Sequence, residues 1–359
     1  MKPQPCALIM AGGTGGHIFP GLALAQALRE RGWRVHWLGA PASMESRLVP
    51  PHGFALETID FGGVRGKGLL TLPLLPLRLL RAFWQALRVV RRVQPDVLVG
   101  LGGYISFPGA MMGTLLGKPL LLHEQNAVAG LANRVLAELA DRVFSAFPNV
   151  LKNAEWVGNP LRVEFLRQPG PVQRFAGRSG PLRLLVLGGS LGAKALNDTV
   201  PQALALLPQA QRPQVVHQSG AQHIDALRAS YAAAGVQAEL TPFIDDTASA
   251  FADADLIVCR AGASSVTEIA AIGAAALLVP FTHAVDDHQT RNAQFLSRSG
   301  AAWLLPQSEL TPQALALRLQ SVQRETLLAV ACKAKQMEKT NASAALVAAC
   351  ETLAKVKSP

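Results

Sequence analysis

Cysteine is scarce in this chain: four in 359 residues, at positions 6, 259, 332 and 350, with no CxxC pair. Such spacing excludes a disulfide scaffold and the common zinc ribbons, and it suits a reducing compartment. Aromatic residues make up only 6%, and no RNP-type or zinc-finger pattern occurs, which disfavours a nucleic-acid reader. Apolar runs are short, none reaching the roughly 18 uninterrupted residues of a membrane-spanning helix. The start, MKPQPCALIMAGG, has one Lys and an apolar run over 6–11 only, so it reads as a first strand rather than a signal peptide. Acidic residues are outnumbered, 24 against 34 Lys and Arg, and the formal charge of +10 favours an anionic partner. Phosphorylated substrates or an acidic membrane fit better than nucleic acid.

The sharper nucleotide motifs are missing too. The first glycine loop, AGGTGGH, lacks GxGxxG spacing, and the strand expected over 35–38 ends in Gly39-Ala40 without the acid that takes a ribose in NAD enzymes. No GxxxxGK[ST] is present, which removes the P-loop NTPases. His283, Asp286, Asp287 and His288 have the residue types of metal ligands but no i, i+4 His pair or Cys partner, so no metal is assigned to them.

What is there fits two α/β domains. The length exceeds one ordinary core, half the residues are apolar, 16% are charged and 31 are glycine, as expected for buried parallel strands joined by tight turns. A strand over 7–10 runs into a loop whose glycines 12, 13, 15 and 16 let backbone amides approach a ligand, and His17 sits where the next helix opens. FGGVRGKG, 61–68, carries Arg65 and Lys67, either a solvated basic turn or a pyrophosphate clamp. A helix is predicted over 77–93, with Leu79, Phe83, Ala86, Leu87 and Val90 on one face. Arg78, Arg81, Arg88 and Arg92 form a stripe along it. It is either a core helix with a basic solvated face or, over 69–84, an interfacial segment with Leu72, Leu75, Leu79 and Phe83 among lipid tails and Arg78 and Arg81 on anionic headgroups.

Further along, GLGGY and a strand over 120–122 ending in His123-Glu124-Gln125-Asn126 place polar groups at strand ends. His123 and Glu124 are either an acid–base pair or loop hydrogen-bonders. A boundary falls near 156–162, before the Pro/Gly-rich stretch 168–181, and GGSLGA after a strand over 182–187 repeats the first half's strand and glycine loop. Ser190 and the amides of Gly189 and Gly192 either hold a phosphate or only cap a helix. The block 259–292 reads as a loop, a helix from near Ser264 to Gly273, a strand over 276–280 and a second helix begun by Asp286 or Asp287. Glu268 is either a ligand for a sugar or the closing member of a capping box begun at Ser265.

Six motifs in order, GGTGGH, GLGGY, HEQN, NP-R, GGSLGA and the 259–292 block, resemble the GT-B glycosyltransferases, and most of all the MurG-type family that adds N-acetylglucosamine to undecaprenyl-pyrophosphoryl-MurNAc-pentapeptide (lipid I) to make lipid II. The resemblance implies a GT-B fold: two Rossmann-like doubly wound α/β domains with an interdomain cleft, over 1–160 and 161–340, the final helix, 341–357, returning to the first. It implies an inverting transfer from UDP-GlcNAc to the muramyl 4-hydroxyl. Donor contacts fall on Thr14, Gly15, Gly16, Asn126, Arg162, Gly189, Ser190, Gly192, Ile244 (backbone to uracil), Arg260, Glu268 (ribose), His288 and Gln289. His288 stands where some members of the family carry a second Gln. Acceptor contacts fall on Gly13, His17, Arg65, Lys67, Gly102, Gly103, Tyr104, His123 and Asn126. His17 is the first candidate for general base and Glu124 the second. The resemblance requires no cofactor or metal, with a divalent cation as an optional aid. It places the enzyme peripherally on the cytoplasmic face of the inner membrane, with anionic lipid and other cell-wall synthesis proteins as partners. The rivals are another UDP-GlcNAc-dependent GT-B enzyme, such as an epimerase or glycolipid transferase, and a non-enzymatic binding protein.

Overall fold

The structure, a computed structural model, describes residues 4–62, 75–189, 192–282 and 285–355. The chain forms two compact units, Met1–Leu161 with Thr340–Pro359, and Arg162–Lys339. In unit 1 the described residues form β1 (Cys6–Met10), β2 (Arg34–Gly39), β3 (Ala55–Thr58), β4 (Val97–Gly100), β5 (Leu120–Glu124), β6 (Arg142–Ser145) and β7 (Glu155–Trp156). They make one parallel sheet in the order β3-β2-β1-β4-β5-β6-β7. Unit 2 contains β8 (Arg183–Leu187), β9 (Gln214–Gln218), β10 (Glu239–Thr241), β11 (Leu256–Cys259), β12 (Ala276–Leu278) and β13 (Trp303–Leu304), also all parallel, in the order β10-β9-β8-β11-β12-β13.

Strands such as CALIM, VLVG, LLLHE and LIVC are buried at every residue. Parallel strands covered by helices on both faces need apolar side chains on both, so these runs do not alternate. In each unit the strand order reverses at its centre, and that is where a crevice opens beyond the strands' carboxyl ends. In unit 1 Met10 pairs with Gly100, bringing the loops AGGTGGH and GLGGY side by side. In unit 2 Leu187 pairs with Cys259, which brings GGSLGA beside CRAGASS. The final helix, Ala342–Lys355, belongs to unit 1, where fully buried Leu346 and Cys350 join the core built around Gly15–Glu30.

The helix predicted over 77–93 spans Leu75–Val93 and buries Ala82, Ala86, Val89, Val90 and Val93. Ala86 and Val90 of the expected apolar face are buried and Arg78, Arg81, Arg88 and Arg92 are exposed, as the core-helix reading has it, whereas the interfacial reading put Leu75, Leu79 and Phe83 among lipid tails. Leu79 packs against the core, Phe83 lies 6.1 Å from the Phe107 ring, and Leu75 is half-buried, whereas Leu77, Leu80 and Trp84 stand 64%, 65% and 57% exposed. Arg88 covers the Trp84 ring at 4.7 Å, and Arg81 is paired with Asp60. Leu72, Arg65 and Lys67 lie outside the described residues. Among the described residues no helix is long and apolar enough to cross a membrane.

Candidate active site

At the switch point of unit 1, β1 ends in Gly12-Gly13 and the helix Gly15–Glu30 begins after the extended residue Thr14. The amides of Gly15 and Gly16 lie in the first turn, where no intrahelical carbonyl reaches them. His17 is half-buried there, its Nδ1 3.2 Å from the Gly12 carbonyl and 3.2 Å from Thr14 Oγ1. A carbonyl only accepts, so a hydrogen bond to Gly12 requires the proton on Nδ1 and the lone pair on Nε2. The ring lies over Gly102, where an added Cβ would fall 3.0 Å from His17 Cδ2, and Gly102 has φ +90°. Gly103, φ +81°, presses so close that its Cβ would sit 2.4 Å from the Gly12 carbonyl. Tyr104 stacks edge-on to Phe61 at 6.2 Å and lines the same loop.

The HEQN segment is turned inward more than its residue types suggest. His123 is fully buried: Nε2–H donates to the Gly158 carbonyl (2.8 Å) and Nδ1 accepts from Gln125 (3.1 Å). Burial holds its pKa down to about 4, so the ring is neutral and both nitrogens are spent on the fold. That corrects its assignment as an acceptor contact. Glu124 is 2% exposed; Oε1 accepts from the Asn126 amide (2.9 Å) and Oε2 from Asn133 Nδ2 (2.8 Å). Burial raises its pKa, and those hydrogen bonds pull the other way. It braces the loop that carries Asn126. The Gly13 amide is also spent, donating to Glu45 Oε2 at 3.2 Å, so it offers no donor to an acceptor.

In unit 2 the loop after β8 approaches its surroundings as tightly. Gly192 has φ +78° and a Cβ there would fall 2.1 Å from the Ser219 carbonyl, while Gly189 has φ +82° and faces open space. Gln218 Nε2 donates to the carbonyls of Gly189 (3.1 Å) and Pro242 (3.2 Å), tying this loop to the turn that holds half-buried Ile244. Ser190 lies outside the described residues; the N-cap position of the helix Lys194–Ala205 belongs to Ala193.

The helix Ala263–Ile272 starts after Gly262 with no side-chain cap, and Ser264 Oγ is buried without a partner. Ser265 is therefore inside the helix, not at its cap, and the capping-box reading of Glu268 falls. Glu268 instead faces Arg162, whose Nη2 lies 3.4 Å from Oε1 and 2.5 Å from Thr247 Oγ1. The Arg260 guanidinium donates to the carbonyls of Val279 (3.1 Å) and Pro280 (3.3 Å) and covers Phe281. Gln289 Oε1 accepts the Phe281 amide at 3.0 Å, and His288 opens the helix His288–Ser297 behind Asp287, which is left-handed at φ 50°. His283 lies outside the described residues, and among the described ones no three His, Cys, Asp or Glu are grouped to hold a metal ion.

Burial pushes the Glu268 carboxyl up to about 7, with Arg162 opposing. A carboxyl raised in the folded state favours folding in its protonated form. Its contribution is full below the unfolded value of 4.5 and is lost as pH climbs through about 7. Urea unfolding at about pH 5 and pH 8 should show a loss on the order of 2 kcal/mol that Glu268→Gln removes. An equal loss in the variant would place the titrating group elsewhere.

Sequence reasoning singled out neither Glu45, Asn133, Gln218 nor Thr247. The first three carry no local motif, and each reaches its partner only through the folded sheet. Ser264, marked only as a helix start, gains its meaning from burial.

Comparison with known proteins agrees with this geometry. Residues 7–145 match the glycosyltransferase family 28 N-terminal domain and residues 183–348 its C-terminal domain. The UDP-N-acetylglucosamine--N-acetylmuramyl-(pentapeptide) pyrophosphoryl-undecaprenol N-acetylglucosamine transferase of Verminephrobacter eiseniae is 72% identical, over 99% of this chain and 100% of its own. That of Paracidovorax citrulli is 71% identical, over 97% and 98%. The crystal structure of Acinetobacter baumannii MurG superimposes with a TM-score of 0.84 at 40% identity, covering 98% of this chain and 100% of that one. The chain belongs to glycosyltransferase family 28 and, within it, to the MurG-type N-acetylglucosamine transferases.

Proposed function

We propose that this enzyme moves N-acetylglucosamine from UDP-N-acetylglucosamine to the muramyl 4-hydroxyl of undecaprenyl-pyrophosphoryl-MurNAc-pentapeptide, with unit 2 binding the donor and unit 1 presenting the acceptor. The observation that carries this division is the unlike chemistry of the two switch points. Unit 2 offers an uncapped helix start, an open glycine loop and the Glu268 carboxylate, which suit a diphosphate and a ribose diol. Unit 1 is built around one imidazole, His17, whose Nδ1 meets the Gly12 carbonyl.

In the reaction the muramyl oxygen forms a bond to the sugar's anomeric carbon as the bond from that carbon to the β-phosphate oxygen breaks. The hydroxyl proton passes to His17 Nε2. The electron pair leaves with UDP, stabilised by the Gly189 amide and by Arg162, the Gly192 N–H being already donated to the Gly189 carbonyl at 3.0 Å. Ile244, His288, Gln289 and Arg260 shape the donor site, the last by holding the strand end beside Phe281. Tyr104, Gly102, Gly103 and Asn126 line the acceptor side. Incubating the protein with UDP-N-acetylglucosamine and a short-chain lipid I analogue should yield the β-linked lipid disaccharide and one UDP per transfer. Donor consumption without acceptor would point to an epimerase instead.

The lipid-linked acceptor places the enzyme on the cytoplasmic face of the membrane. Leu77, Leu80 and Trp84, with Arg78 and Arg88, form the contact, apolar groups among the acyl chains and each arginine adding about 1 kcal/mol at an anionic surface. Changing Leu80 and Trp84 to Ser should cut flotation with phosphatidylglycerol vesicles about tenfold or more, since burying either side chain is worth about 1.5–3 kcal/mol. Undiminished flotation of the folded double variant would reject this face.

A further inference from the structure

Glu45 is a buried carboxylate at the switch point of unit 1 that the reaction above does not use. It stands in the short helix Met44–Leu48 and is 0% exposed. Oε1 accepts the Ala40 amide at 3.0 Å and Oε2 the Gly13 amide at 3.2 Å, so it joins the carboxyl ends of β2 and β1. Two glycines leave room for it. A Cβ on Gly12 would fall 2.6 Å from Oε1, and one on Gly39 would fall 2.6 Å from Cγ.

An acid at the end of the second strand takes a ribose in dinucleotide-binding sheets. Here Gly39-Ala40 supplies none, yet the chain returns five residues later and places a carboxylate at that strand end. It is buried and faces protein amides, and the Gly13 N–H that a phosphate would seek is already used. The other end of the same peptide matters for the chemistry, because the Gly12 carbonyl meets His17 Nδ1. Two successive glycines turn easily unless something holds them.

We propose that Glu45 is a positioning residue of the transfer: it closes this strand end to nucleotides and fixes the Gly12-Gly13 backbone so that the Gly12 carbonyl keeps His17 in the Nδ1–H tautomer. The consequence for rate rests on the reading of His17 as proton acceptor; the consequence for tautomer does not. In Glu45→Gln one acceptor becomes an NH2 group facing a backbone N–H. The loop then relaxes and the ring samples the Nε2–H form, which cannot take the proton.

The test uses the full chain labelled with 15N-histidine, His17 being assigned from the spectrum of a His17→Gln sample. Wild type should show the Nδ1–H tautomer when the ring is neutral. Glu45→Gln should show a mixture, with kcat down roughly a hundredfold, as for a misplacement of about 1 Å, and the KM for UDP-N-acetylglucosamine unchanged within about twofold. A merely structural role would leave the ring signal in place. Gly39→Ala pushes the same side chain while keeping its charge, and it carries the same expectation if Glu45→Gln does not fold. A wild-type ring in the Nε2–H form overturns the proposal whatever the variants do, as does a folded variant with unchanged tautomer and kcat. A shifted tautomer alongside a His17→Ala enzyme of normal single-turnover rate leaves Glu45 in its role and removes His17 as base.

Discussion

His17→Ala should lower the single-turnover rate about 10²–10⁴-fold while leaving donor affinity unchanged, because general base catalysis typically contributes that much. The geometry separates His17 from the second candidate. Glu124 has both oxygens committed to Asn126 and Asn133 and is 2% exposed. His17 is half-buried, and it is Nδ1 that meets the Gly12 carbonyl. Glu124→Gln should therefore act more weakly, by loosening the segment that carries Asn126. Rapid-quench measurement with a lipid I analogue distinguishes the two; if Glu124→Gln abolishes the chemical step and His17→Ala only raises acceptor KM, the roles are reversed.

The second large effect is a contrast between two glycines of one loop. Gly192→Ala puts a methyl group 2.1 Å from the Ser219 carbonyl at φ +78°. Left-handed strain of about 1–2 kcal/mol and overpacking of about 1–3 kcal/mol should together remove a large part of a marginal stability. Gly189→Ala, at φ +82° with open space before it, incurs the strain alone, about 1 kcal/mol once the stiffer unfolded chain is counted. That open space is where the donor diphosphate is proposed to lie. Gly189→Ala should thus fold nearly as well as wild type yet bind UDP-N-acetylglucosamine at least about tenfold more weakly by calorimetry. Normal binding by Gly189→Ala would remove the diphosphate from this loop.

Much of the architecture is legible along the chain because buried parallel strands write themselves as short apolar runs closed by glycine. The strands Cys6–Met10, Leu120–Glu124 and Arg183–Leu187 lie where those patterns put them. Periodicity put Leu79, Phe83, Ala86 and Val90 of the helix Leu75–Val93 on one face but left open whether that face meets core or lipid. Packing of Phe83 on Phe107 makes it a core face and leaves Leu77, Leu80 and Trp84 outward. His123 misleads for a related reason: a polar residue at a strand end looks like a ligand until the Gly158 carbonyl, 35 positions away, is seen to receive it.

By itself the sequence determined the two sheets, their glycine loops and the family whose ordered motifs it shares, since these depend on local patterning. Only the tertiary structure decided which polar groups face a substrate and which are consumed by the fold. Glu268 was freed from a cap by the helix starting at Ala263, while His123, the Gly13 amide and Glu45 were turned to partners inside unit 1. A buried hydrogen-bonding group must find a partner wherever the chain brings one, and that partner's distance along the sequence leaves no local trace.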